Sequence, residues 1–267
     1  MSAALFTAGL GDVIRSCYLN AAYRMLGEAT RPLPVVVASH NPFSIEIFRH
    51  HRNARNFILY DLGHKYQEFQ AAGMPAAELN RSLCEFAGID YAALIREKAR
   101  GAVPVFDAPD DIASTGHIVF QPFAGGTAHR SLPPDLIARI VEVLRGLPWP
   151  TFILTRSYPR LGTGGKNIHT VEDASAFAGG SVTVLDQLTV PATLNLIKSC
   201  RAYVGSWSSL QQAAWLENKP VAVFHPPNYV DVEARTVYAF GMDRENTLAC
   251  PFSQADMATL EAFLRRW

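Results

Sequence analysis

The sequence predicts an α/β fold built as two Rossmann-like domains whose parallel sheets face a cleft. Three observations predict it. Short apolar runs alternate with segments of helical period along the chain, which is the signature of βαβ units and parallel sheets. The rhythm breaks once, at residues 104–114, which hold two prolines and three aspartates without a clean period, and then restarts. A glycine-bearing turn follows the first strand of each half. The expected domains are residues 1–110 and 111–267.

The elements follow in order. Residues 3–8 form a short apolar strand ending at Gly9-Leu10-Gly11. Residues 12–28 place Val13, Cys17, Leu19, Ala21, Met25 and Leu26 at helical spacing. Val35-Val36-Val37 marks a buried strand over 34–39, and residues 43–51 read as a helix. Phe57-Ile58-Leu59 marks a third strand over 56–60, and helical patterns fill 65–98. In the second half, 117–121 is a strand and Gly125-Gly126 a turn. Residues 134–147 form a helix with a broad apolar face, and Asp135 in its first turn suits the helix dipole. Strands are expected at 151–155, 182–185, 202–204 and 220–224. Helices are expected at 191–199, 209–217 and 254–265.

Composition narrows the function. The chain has 267 residues, of which 49% are hydrophobic and 18% charged, enough apolar content for packed cores. Lys and Arg number 24, as do Asp and Glu. The balance is −1 before about residue 115 and +1 after it, so neither half is a basic footprint. Nucleic acid is disfavoured as a partner, although a local basic groove stays open. No apolar run approaches the roughly 18 residues that span a bilayer. No basic segment leads into a long apolar one at the start, so a signal peptide is not expected. The four cysteines, Cys17, Cys84, Cys200 and Cys250, are scattered without metal spacing and read as reduced, mostly buried thiols. His50 and His51 are neighbours that point apart on a helix, a poor metal pair. No metal site is expected, and the location expected is the cytoplasm.

Parallel sheets bind ligands at the carboxyl ends of their strands, so the turns there carry the chemistry. Gly9, Gly11 and Asp12 form the first. Glycines allow a tight turn and close substrate approach, and Asp12 either caps the helix or sits at the helix start beside the mouth of the cleft. Ile14 and Arg15 exclude the dinucleotide pattern G-x-G-x-x-G. The second turn runs from Pro122 to Pro133. Gly125 and Gly126 expose backbone N–H groups, Thr127 adds a hydroxyl and Arg130 a fixed cation, the groups that hold a diphosphate; the alternative is a surface loop. The third turn holds Gly205, Ser206, Trp207, Ser208 and Ser209 before Gln211 and Gln212. Its hydroxyls cap a helix, whose free N–H groups attract anions. Trp207 is a core or lid aromatic, or a stacking surface for a base or sugar. A fourth turn, with Arg156, reaches a ribose or base, or is a surface loop.

In this order the turns resemble the heptosyltransferase-like glycosyltransferases of family 9. Gly11-Asp12-Val13-Ile14 is similar to that family's Gly-Asp at the first helix. Pro122-Phe123-Ala124 through Arg130-Ser131-Leu132-Pro133 is similar to its Pro-Gly-Ala … Lys-x-Trp-Pro stretch, with Arg130 for the lysine and Leu132 for the tryptophan. Residues 206–214 followed by Lys219-Pro220 are similar to Asp-(Ser/Thr)-Gly-x-x-His-x-Ala-Ala … Pro. There the family aspartate falls on Trp207, the glycine on Ser209 and the histidine on Gln212.

The resemblance implies a GT-B fold and a glycosyltransferase. Its donor is a nucleotide sugar and its acceptor a carbohydrate or other hydroxyl compound. Transfer would be inverting and metal-independent, with no cofactor. Asp12 is the implied base. Gly125, Gly126, Thr127, Arg130, Arg156, Ser206, Ser208, Ser209 and Gln212 are the implied donor-side residues, and Gly9, Gly11 and Arg15 the acceptor-side ones. Three alternatives stay open: a phage-type transferase acting on a modified DNA base, a nucleotide-sugar epimerase, and a binding module that has lost catalysis.

Overall fold

Among the described residues of a computed structural model of the chain, the strands pair in parallel with their neighbours in two separate sheets. The structure describes residues 4–7, 32–38, 57–61, 116–124, 131–155, 174–185, 190–217, 219–227 and 244–267, with single positions or short stretches at 49, 55, 65, 68, 71–74 and 188. The chain divides into two units, Met1–Ala108 and Pro109–Trp267.

In the first unit β1 (Ala4–Thr7), β2 (Leu33–Ala38) and β3 (Phe57–Asp61) form a sheet in that order. Ala4 pairs with Val35 and Val35 with Leu59, so the valine run occupies the central strand. Val37 is buried there, and β-branched residues favour strands. The expected helix at 12–28 and the break at 104–114 lie outside the described residues. So do the helices expected at 43–51 and 65–98, except for helical positions at Arg49, Lys65, Glu68 and Ala71.

The second unit is described more fully. Its strands are β4 (Ile118–Gln121), β5 (Thr151–Leu154), β6 (Val182–Leu185), β7 (Ala202–Ser206), β8 (Val221–His225) and β9 (Thr247–Pro251). Its helices, among the described residues, are α1 (Pro134–Arg145), α2 (Val190–Ser199), α3 (Ser209–Leu216) and α4 (Met257–Arg266). The sheet order is β6-β5-β4-β7-β8-β9. The chain therefore starts at the centre, adds β5 and β6 on one side, then returns to lay β7 against the other side of β4.

Alternation assigns the faces. Ile118, Phe120, Ile153, Val182, Ala202, Val204, Ala222 and Phe224 meet Leu136, Ile137, Ile140, Val141 and Leu144 of α1 and Leu260 and Leu264 of α4 in one apolar core. Arg139 laces the outside of that layer, donating from Nη2 to the Ala255 carbonyl at 2.8 Å. The opposite face carries His117, Val119, Gln121 and Tyr203. It lies under α2, because His117 Nε2 reaches the Leu196 carbonyl of that helix at 3.0 Å.

Helix ends follow local chemistry. Pro134 opens α1, where a missing N–H costs nothing. Asp256 caps α4, accepting from the Ala258 and Thr259 N–H groups. That cap moves the helix start to Met257, later than expected, and residues 252–254 form a 3-10 turn instead. Strand β9 was not expected. It is half-buried along its length and sits at the sheet edge, where its closing Pro251 is tolerated. Cys200 and Cys250 are free. Burial pushes the Cys200 thiol up to about 12, so it is an inert core residue.

Candidate functional site

Strands β4 and β7 are neighbours whose chain connections leave in opposite directions. That is the topological switch point of a doubly wound sheet, and the crevice outside the carboxyl ends of such strands is where ligands bind. The second and third turns singled out from the sequence leave from these two strands. The structure thus puts two segments that are about 80 positions apart side by side, since Gln121 pairs with Gly205 in register.

The contact between them is close. A Cβ on Gly205 would overlap the Gln121 carbonyl oxygen and would stand 3.1 Å from the Tyr203 hydroxyl. Only glycine lets the Tyr203 side chain pass over that position toward the strand end. Tyr203 is fully buried. Burial holds its phenol well above the ordinary range, so it stays neutral and serves as a donor.

Gln121 receives that donor. The Tyr203 hydroxyl donates to Gln121 Oε1, and Ser208 Oγ donates to the same oxygen at 2.7 Å. Gln121 Nε2 donates to the Phe123 carbonyl at 3.0 Å. With two hydroxyl donors on one side and a carbonyl on the other, the amide has a single orientation. Phe123 belongs to a stem that joins residues 122–124 to residues 131 and 132. That stem is closed by Leu132 N–H to the Pro122 carbonyl at 2.8 Å and by Ala124 N–H to Ser131 Oγ at 3.1 Å.

Ser208 is the N-cap of α3, and its Oγ accepts from Gln211 N–H at 3.4 Å. The capping role foreseen for the third turn is therefore filled by Ser208, and Ser209 is the first helical residue. Ser206 does not lie in the turn. Strand β7 runs two residues further than its apolar core suggests, because Gly205 pairs with Val223 and Ser206 with Phe224. Ser206 is fully buried, and its Oγ has no hydrogen-bond partner among the described residues. The same holds for both amide atoms of buried Gln211 and for Oε1 of part-buried Gln212. Trp207 is half-buried and packs edge-to-face on Trp215, with centroids 5.7 Å apart. Trp215 is anchored in turn by Nε1–H donating to Thr247 Oγ1 at 3.1 Å.

His225 ends β8 at the same carboxyl end of the sheet, buried, with Nδ1 placed 2.9 Å from the Pro226 carbonyl. That contact assigns the proton to Nδ1. Gln121, Tyr203 and His225 were not singled out from the sequence. The available signal was a polar residue closing an apolar run directly before a proline, as in Phe120-Gln121-Pro122 and Phe224-His225-Pro226.

Gly9, Gly11, Asp12, Arg15, Gly125, Gly126, Thr127, Arg130 and Arg156 lie outside the described residues. Among the described residues no group of three or more His, Cys, Asp or Glu is placed to hold a metal ion. No helix among them is long and apolar enough to cross a membrane.

The strand order β6-β5-β4-β7-β8-β9 is that of a doubly wound, Rossmann-like sheet, and the fold is similar to that of solved glycosyltransferases. Three solved structures share it over nearly the whole chain. The E. coli ADP-heptose LPS heptosyltransferase II is 14% identical, with 98% of this chain and 99% of that one covered, at a TM-score of 0.61. E. coli heptosyltransferase WaaC, solved with ADP-2-deoxy-2-fluoro heptose, is 12% identical, with 98% and 99% covered, at 0.60. The glycosyl transferase family 9 protein of Veillonella parvula is 10% identical, with 99% and 98% covered, at 0.63. No protein-family model and no curated protein matches the sequence.

Proposed function

We propose that the protein is a nucleotide-sugar-dependent glycosyltransferase that moves a sugar from a nucleoside diphosphate donor to an acceptor hydroxyl. One observation carries the reading: both sequence turns with diphosphate-binding character leave the two strands that flank the switch point of a heptosyltransferase-like fold. The WaaC structures hold ADP and an ADP-heptose analogue, so an adenosine diphosphate sugar is the first donor class to test.

In this reading the leaving diphosphate is met by the backbone N–H groups of Gly125 and Gly126, the Thr127 hydroxyl and the Arg130 guanidinium. The amino end of α3 at Ser208-Ser209 adds its dipole. Arg156 reaches the nucleoside, and Ser206 and Gln212 serve the donor side. Asp12 takes the proton of the attacking hydroxyl, with Gly9, Gly11 and Arg15 on the acceptor side. A carboxylate base with direct attack inverts the anomeric centre. Fixed cationic and N–H donors neutralise the phosphates without a metal or cofactor. The protein works in the cytoplasm, where nucleotide sugars are made.

A thermal-shift panel of nucleoside diphosphates and their sugars tests the donor class, because a ligand of the folded state raises the melting temperature. No shift with any of them removes the reading. With the donor in hand, Asp12→Asn should bind it normally and lose most turnover. Full turnover in that variant would remove Asp12 as the base.

A further inference from the structure

We infer that His225 is a binding residue of the donor site and accepts a hydroxyl of the bound nucleotide sugar through Nε2. The inference rests on the donor reading above. Ser206 pairs with Phe224, so His225 stands one step further along β8, level with Trp207 and the turn into α3. Phe224 faces the core under α1 and α4, so alternation turns His225 to the other face. That is the face of Gln121 and Tyr203, on which Ser208 caps α3. His225 is thus a side chain of β8 at the amino end of α3, across β7 from Gln121. The ring is 5% exposed.

Its two nitrogens differ. Nδ1 lies 2.9 Å from the Pro226 carbonyl. A carbonyl only accepts, so Nδ1 carries the proton and Nε2 of the neutral ring is an acceptor. Nε2 has no partner among the described residues, yet it is not sealed, unlike Nδ1 of His117 at the other end of the sheet. Gln212 stands one turn along α3 from the Ser208 cap and adds a second acceptor. Its Oε1 is buried without a partner among the described residues. Buried polar atoms are almost always paired, so two unmet acceptors at one turn call for a donor. The diphosphate of a nucleotide sugar is not that donor, because at neutral pH it holds only acceptor oxygens. It is left to the N–H groups of the α3 turn. Hydroxyls carry the hydrogen that Nε2 lacks. A nucleotide sugar has them on its ribose and on its transferred sugar, at either end of the diphosphate. A ligand seated by its phosphates on α3 therefore brings hydroxyls to the neighbouring strand end.

Calorimetry on the full chain tests this, with ADP, UDP, GDP and dTDP, and ADP-glucose, UDP-glucose, GDP-mannose and dTDP-glucose, as probes. His225→Asn keeps an N–H close to the Nδ1 position and removes the Nε2 acceptor. The nucleotide sugar that wild type binds best should bind this variant about tenfold more weakly. His225→Gln carries an amide oxygen out to the Nε2 position and should restore most of the affinity. A loss confined to the nucleotide sugar assigns the hydroxyl to the transferred sugar. An equal loss with its parent diphosphate assigns it to the ribose. Equal affinity in wild type and His225→Asn would overturn the proposal. So would a His225→Gln variant as weak as His225→Asn, because the ring then acts by its shape alone. Both of those results leave the donor reading intact, since wild type still binds. Failure of wild type to bind any probe would overturn both. Melting curves check that the variants are folded. If His225→Asn is not, His225→Phe keeps the ring volume, removes both nitrogens and should show the same loss. Equal affinity there would also overturn the proposal.

Discussion

The two faces of the second sheet do different work. The face under α1 and α4 is mainly apolar: Ile118, Phe120, Val204 and Phe224 meet Leu136, Ile140 and Leu264, and the small hydroxyl residues Thr151 and Ser206 are its buried polar exceptions. The face toward α2 carries His117, Gln121 and Tyr203, and α3 adds buried Gln211. An apolar face gains by burial alone, and a partnerless polar group on it costs stability. A face with buried polar groups gains less and instead fixes orientation, since each hydrogen bond has a direction. The contrast separates the part of the molecule that holds it folded from the part that aims its site.

The contrast can be broken from the apolar side first. Phe120→Ala removes a fully buried ring from the core and should cost about 3–5 kcal/mol, read as a lower urea midpoint. A loss below 1 kcal/mol would mean that this face is not the main source of stability. Gly205→Ala comes next. Its new Cβ meets a backbone oxygen, not a movable side chain, so β4 and β7 must part, at about 1–3 kcal/mol. Because the strain falls at the switch point, nucleotide affinity should fall with stability. A variant as stable as wild type would show that the strands are not held that closely.

His117 gives the polar face a pH dependence. Burial lowers its pKa from the ordinary 6.5, against the raising effect of its bond to the Leu196 carbonyl, and Lys219 lowers it further. The folded ring is thus neutral where the unfolded one takes a proton. Stability should be unaffected at higher pH and should fall as pH drops below about 6.5 toward the folded value. Urea midpoints at pH 8, 6.5 and 5.5 read the slope, and His117→Phe should flatten it. An equal slope in that variant would assign the effect elsewhere. Gln211→Leu is the smallest effect and has the opposite sign. It removes a buried amide with no partner among the described residues. Stability should stay level or rise by about 1 kcal/mol. A clear loss would show that a water or protein group satisfies the amide.

Much of the fold was legible because it depends on local period. The valine run of β2, the alternation of the second half and the broad apolar face of α1 each follow from residues close in sequence, and each element lies within a few residues of its expected place. Ends were less legible. Strand β7 continues through Gly205 and Ser206 because β4 and β8 offer them partners, which no local pattern reveals. Strand β9 has no strong period because it lies half-buried at an edge. In the candidate site, Ser208 was found as a cap because capping is local chemistry. Gln121 was missed because its partners lie 82 and 87 positions away.

By itself, then, the sequence determined the described strands and helices apart from β9, and which turns carry glycine, hydroxyl and cation. Those properties rest on side-chain volume, period and backbone freedom within a few residues. The tertiary structure alone decided that β7 returns to lie beside β4. Strand order is a choice among distant partners, made by the burial of whole faces. That choice sets the Pro122 stem beside the Ser208 cap and gives Gln121 two turns to hold.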